Sequence, residues 1–165
     1  MRVTFLGAVG AMLAIAAVPT GALASTATTT FPVSALVLTV CSVTASPLTF
    51  ASYDPTSATP DDATTTTVVT CTLGTSFQVG LNAGTTSGAT VTTRKMANGA
   101  NRLNYGLFQD ASRTTNWGNT PGTDTPAATT SVVVPTTLTV YGRAPADQIV
   151  PLGAYTDTIT VTVTY

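Results

Sequence analysis

Over residues 158–165 the chain alternates without a break. Ile159, Val161, Val163 and Tyr165 fall on one side, and Thr158, Thr160, Thr162 and Thr164 on the other. A repeat of two is the repeat of a β-strand with one buried face, so a half-buried strand is predicted there. A second extended run covers residues 31–43. Phe31, Val33, Ala35 and Val37 share one face, while Leu36, Leu38 and Val40 occupy the other. Both faces are apolar, which a solvent-exposed edge strand avoids, and Pro32 is tolerated only at an edge or unpaired start. Further strand patterns cover residues 48–50, 65–72, 76–81, 103–108 and 131–141, giving about seven strands in all. Between them lie turn-forming clusters such as Tyr53-Asp54-Pro55, Pro60-Asp61-Asp62, Asn82-Ala83-Gly84, Asn98-Gly99, Pro121-Gly122 and Pro151-Leu152-Gly153. No window carries a helical period. Many short strands at this spacing predict an all-β sandwich or barrel.

The head of the chain follows a different pattern. Met1-Arg2 is followed by an apolar run over residues 5–18, a Pro19-Thr20-Gly21 break and Ala22-Leu23-Ala24. This is the layout of a signal peptide over residues 1–24, cleaved after Ala24. The run falls short of the roughly 20 residues a spanning helix needs. The expected mature protein is therefore exported and is not embedded in a membrane.

Composition sharpens the picture. Charged residues make up 8% of the chain and the formal net charge is −1. So few charges beside abundant β-branched residues favour sheet over disorder. They also leave no basic footprint for nucleic acid. The two cysteines, Cys41 and Cys71, would meet an oxidising compartment, so a disulfide is expected. Closing a loop of about 30 residues restricts the unfolded chain by roughly 3–4 kcal/mol.

Candidate chemistry is sparse. The chain has no histidine, which removes Ser-His-Asp and Cys-His machinery and the usual general base. Metal ligands are equally scarce, and no cofactor is expected. Asp61-Asp62 reads as a solvated turn pair rather than a calcium site. Arg94-Lys95 reads as a solvated surface pair rather than a reactive amine. Trp117, with Tyr105, Phe108, Tyr141 and Tyr155, could stack a sugar ring, although packing in or at the rim of the core is the commoner use of such residues.

The order of landmarks is more specific than any one of them. Cys41 follows an apolar strand. Leu48-Thr49-Phe50, Tyr53-Asp54-Pro55, Val69-Thr70-Cys71-Thr72 and Phe77-Gln78-Val79-Gly80-Leu81 come next. Arg94-Lys95-Met96, the run from Leu103 through Tyr105 to Asp110, Trp117-Gly118, Tyr141-Gly142-Arg143 and Gly153-Ala154-Tyr155-Thr156-Asp157-Thr158 complete the series. This ordered set resembles the spore coat protein U family, the domain shared with subunits of archaic, Csu-type chaperone–usher pili. The resemblance implies an immunoglobulin-like β-sandwich that lacks its last strand. It implies a domain over residues 41–165, preceded by an N-terminal donor segment over residues 25–40. In such families a periplasmic chaperone first fills the open groove. The donor strand of the next subunit then replaces it at an outer-membrane usher.

Carried onto this chain, the family's disulfide falls on Cys41 and Cys71, and the inserted donor residues on Phe31, Val33, Ala35 and Val37. The groove wall falls on the last strand, with Ile159, Val161, Val163 and Tyr165. Burying four donor side chains would contribute on the order of 6–12 kcal/mol, comparable to the stability of a domain. Pro32 removes one backbone donor, so pairing would begin at Val33. The expected function is a structural subunit of a surface pilus or coat layer, passing through the periplasm to the cell surface. Its expected partners are identical or homologous subunits, the chaperone and the usher. The alternative is a self-contained secreted adhesin or carbohydrate-binding module using the loops around Trp117. An enzyme ranks third.

Overall fold

The structure, a computed structural model, describes residue 21 and residues 24–132 and 135–165. The expected signal peptide lies outside the described residues except for Gly21 and Ala24. The chain divides into two compact units, Met1–Ala35 and Leu36–Tyr165. In the first unit, residues 24–35 are exposed and form no strand. Among the described residues the second unit holds eight strands: β1 (Cys41–Ala45), β2 (Asp61–Cys71), β3 (Ser76–Leu81), β4 (Arg94–Asn98), β5 (Asn101–Phe108), β6 (Thr129–Thr130), β7 (Thr136–Ala144) and β8 (Val161–Thr164). The described residues contain no helix.

Two sheets form. One has the order β1-β2-β7-β5-β4 and the other the order β6-β3-β8, and every strand pair is antiparallel. The long central strands β2 and β7 follow from their Thr and Val content, since branched side chains pack well on a pleated surface. Their register sets Asp62 opposite Arg143 and Thr66 opposite Thr139 on the outer face. Between the sheets lies an apolar core of Val69, Cys71, Phe77, Val79, Leu81, Tyr105, Leu107, Trp117 and Val140. Cys41 and Cys71 face one another in the β1–β2 register and are joined by a disulfide, with Cα atoms 4.1 Å apart.

Several expectations needed adjustment. The strand expected over residues 31–43 begins only at Cys41, because β2 offers partners to Cys41–Ala45 alone. Immediately upstream, Val40 is held by Thr72: the Thr72 amide donates to the Val40 carbonyl at 2.9 Å and the Val40 amide to the Thr72 hydroxyl at 3.1 Å. Residues 48–50 are not a strand, although Leu48 and Phe50 pack against the core. The strand expected over 131–141 is β7, shifted towards the C-terminus; residues 133–134 of that stretch lie outside the described residues. β4 was not anticipated. Its polar sequence hides a strand that turns through Gly99, at φ +58°, to pair with β5.

Candidate functional site

β1 and β8 are the outermost strands of their respective sheets, and they lie side by side. Each sheet therefore has a free edge on the same flank of the sandwich. Where β1 ends and before β8 begins, the two chain segments separate and open a groove of about 930 Å³. Residues 45–53 line one side and residues 150–159, with Val161, the other. The floor is core side chain: Leu81, Met96, Leu103, Tyr105, Leu107 and Val140. A groove of this size with an apolar floor is large enough to take several side chains of a partner. Leu48, Phe50, Ile159 and Val161 border it half-buried, so their apolar surface is incompletely covered.

Of the four residues expected on the groove wall, Ile159 and Val161 line it. Val163 packs on the core outside the lining, and Tyr165 is exposed outside it. The expected donor residues Phe31, Val33, Ala35 and Val37 are all exposed, Val33 to 84%. Leu36, Leu38 and Val40 are exposed as well, so both apolar faces of this segment are open to solvent.

The wall that carries Ile159 is fixed by a mixture of side-chain and backbone hydrogen bonds rather than by a continuous strand pairing. Asn82 accepts through Oδ1 from the Thr160 amide at 2.9 Å and from the Gly84 amide at 3.1 Å, while its backbone N–H donates to the Thr160 carbonyl. Thr156 exchanges two backbone hydrogen bonds with Ala97. Asp157 accepts from the Thr85 amide (2.9 Å), the Thr85 and Thr86 hydroxyls and the Tyr105 hydroxyl (2.8 Å). Burial works against the Asp157 charge, but the hydrogen bonds from Tyr105 and Thr85 outweigh it and hold the carboxyl below its ordinary range. The Tyr105 phenol is pushed well above its usual value, first by burial and then by its bond to Asp157. Both groups therefore keep their native protonation at neutral pH.

Two surface readings from the sequence, the solvated Arg94-Lys95 pair and the Asp61-Asp62 turn, are overturned, while the packed reading of Trp117 holds. Arg94 is wholly buried rather than solvated. Its guanidinium donates to the carbonyls of Leu81, Asn82, Val91 and Trp117 at 2.7–2.8 Å. Desolvation lowers its pKa to about 10, and it remains charged. Lys95 is half-buried. Trp117 is 1% exposed and its Nε1 donates to the Val79 carbonyl, so it cannot offer a face to a sugar ring. Asp61 and Asp62 open β2 instead of forming a turn. Asp62 is held below its ordinary range chiefly by its hydrogen bond from Arg143, and Arg113 lies 3.2 Å away. Among the described residues no group of three potential metal ligands comes together.

Sequence reasoning missed the groove's other wall, residues 45–53, and the Asn82–Asp157 fastening. Asp157 stood inside the Gly153–Thr158 landmark, but nothing local to that stretch shows which loop it would reach.

The comparisons agree with this architecture. The family model described as "Spore Coat Protein U domain" matches residues 27–162. Protein U of Myxococcus xanthus is 42% identical over 81 residues, which is 48% of this chain and 44% of that protein. A chain from the CsuC–CsuE chaperone–tip adhesion subunit pre-assembly complex of archaic chaperone–usher Csu pili, from Acinetobacter baumannii, superimposes with a TM-score of 0.56 at 22% identity. That match covers 78% of this chain and 40% of the other. The chain thus spans less than half the length of each of these two relatives. The structural likeness establishes an immunoglobulin-like sandwich fold.

Proposed function

The chain belongs to the spore coat protein U domain family, and from that premise we propose that it is an exported structural subunit, assembled into a surface pilus or coat layer by strand exchange. A coat-protein domain is structural and not enzymatic. The observation that carries the proposal is the open apolar groove between residues 45–53 and 150–161, flanked by strands with free edges. The proposed occupant is the N-terminal segment, residues 28–38, of a second copy. Its alternating Phe31, Val33, Ala35 and Val37 match an extended strand with one apolar face, and all four are exposed. Strand addition would satisfy the free backbone edge and the apolar floor together.

Before assembly the groove needs another cover, and a periplasmic chaperone is the partner proposed for that role. The Acinetobacter complex supports it, since there a chaperone and a subunit are bound together. An outer-membrane usher and delivery to the cell surface complete the reading. The reading of a carbohydrate-binding module loses its main support with the burial of Trp117.

The test compares the mature protein with a form lacking residues 25–38, isolated from the periplasm or cell surface. Non-boiled gels and size exclusion should show denaturation-resistant ladders for the mature protein and none for the shortened one. Equal polymerisation of both would end the strand-exchange reading.

A further inference from the structure

A groove that waits for a partner strand has a weakness. The wall bordering it lacks a neighbour on one side, and an unsupported edge segment tends to fray or fold over the floor. In this protein the segment leading into β8, residues 156–160, has no strand partner over most of its length. It is nonetheless held at three successive points: Thr156 on Ala97, Asp157 on Thr85, Thr86 and Tyr105, and Thr160 on Asn82.

Asp157 is the centre of this arrangement. It joins the β3–β4 loop, the floor residue Tyr105 and the wall in one hydrogen-bonded unit. The loop can reach it only because residue 84 is glycine. Gly84 has φ +89°, and a Cβ there would collide with the Asp157 carboxylate. Tyr105 and Asp157 both line the groove, yet each spends its polar atom on the other, so neither presents an unmet polar group to an incoming apolar strand.

We propose that Asp157, with Gly84 giving the loop access to it, is a positioning residue that holds the groove wall in its strand-accepting shape before any partner arrives. This inference rests on the strand-exchange reading for its consequence, but the fixed wall is a property of the single subunit. A binding-competent state populated in about one molecule in ten lowers apparent uptake about tenfold. Loss of the Asp157 unit should therefore slow assembly without abolishing the fold.

The experiment uses the mature protein and its Asp157→Ala, Asp157→Asn and Gly84→Ala variants. Asp110→Ala serves as a control, because Asp110 caps a loop outside the groove lining. Polymerisation rate is followed by light scattering, and amide hydrogen exchange is read over residues 156–161 in monomer and polymer. The expected result is polymerisation slowed about tenfold in Asp157→Ala and Gly84→Ala, and unchanged in Asp110→Ala. Exchange should quicken in the variant monomers alone, since the inserted strand restores the wall in the polymer. If Asp157→Ala does not fold, Asp157→Asn, which keeps one acceptor oxygen, is read in its place. Unchanged rates in both the Asp157 and Gly84 variants, or exchange quickened equally in monomer and polymer, would overturn the proposal. If the wild type never polymerises, the strand-exchange reading fails by itself. Exchange in the monomer then decides alone: a wild-type wall protected more than the Asp157→Ala wall upholds the fixed wall, and equal protection removes it.

Discussion

The closed part of the sandwich and the open groove are made of the same kinds of residue and end in opposite states. Around Val69, Phe77, Val79 and Trp117 the apolar side chains are almost wholly covered, and the polar groups among them are matched: the indole of Trp117 to Val79, the guanidinium of Arg94 to four carbonyls. Around Leu48, Phe50, Ile159 and Val161 the apolar surface is only half covered, and the strands beside it have free edges. The first region stabilises the subunit by itself. On the proposed function, the second would take its remaining stabilisation from a partner strand, linking folding to assembly.

Mutations should separate the two regions by size of effect. Trp117→Ala should be the most damaging, costing about 3–5 kcal/mol because it leaves a large core cavity, seen as a lower urea midpoint of the monomer. Arg94→Met should follow closely. It strands four carbonyls that the guanidinium now serves, and an apolar side chain cannot replace those bonds; a loss of about 3 kcal/mol is expected in the same measurement. Joint replacement of Cys41 and Cys71 by Ser should cost roughly 2–5 kcal/mol, equally in monomer and polymer. Ile159→Ala should do the reverse: little change in the monomer, where the side chain is half exposed, and a clear loss of heat resistance in the polymer. An equal effect of Ile159→Ala in both forms would erase the contrast between the regions.

The smallest effect concerns pH. Asp62, through Arg143, and Asp157, through Tyr105 and Thr85 against the cost of burial, both have carboxyl pKa values lowered by folding. A depressed folded-state pKa gives stability that is present above the unfolded value and is lost as pH falls through the folded one. Stability should therefore be flat from neutrality down to about pH 4 and decline below it. Arg143→Ala should shrink that decline slightly, since its pair with Asp62 is partly exposed to solvent and screened by it.

Period-two alternation placed β3 at its observed bounds and most of β2, β5 and β8, because strand faces are written locally in the order of side chains. The disulfide was legible from two cysteines in an exported context, and the N-terminal segment stood out through its two apolar faces. The strand β4 was not legible. Arg94-Lys95 carries a polar signature, and only the carbonyls of Leu81, Asn82, Val91 and Trp117, brought together from distant parts of the chain, make burial of that arginine possible. Trp117 was only partly legible for the same reason, since an aromatic beside turn residues more often packs in a core but can also serve a binding face.

What the sequence by itself determined is the all-β class, the strand faces, the covalent staple and the scarcity of catalytic groups, all of which depend on residue identity and near-neighbour spacing. The tertiary structure alone decided that the flank between residues 45–53 and 150–161 stays open, and that Asp157 reaches across to Thr85 and Tyr105 to fasten one wall of it. Those facts depend on which edges meet after the sheets stack, and pairing between segments more than 50 residues apart leaves no local period to read.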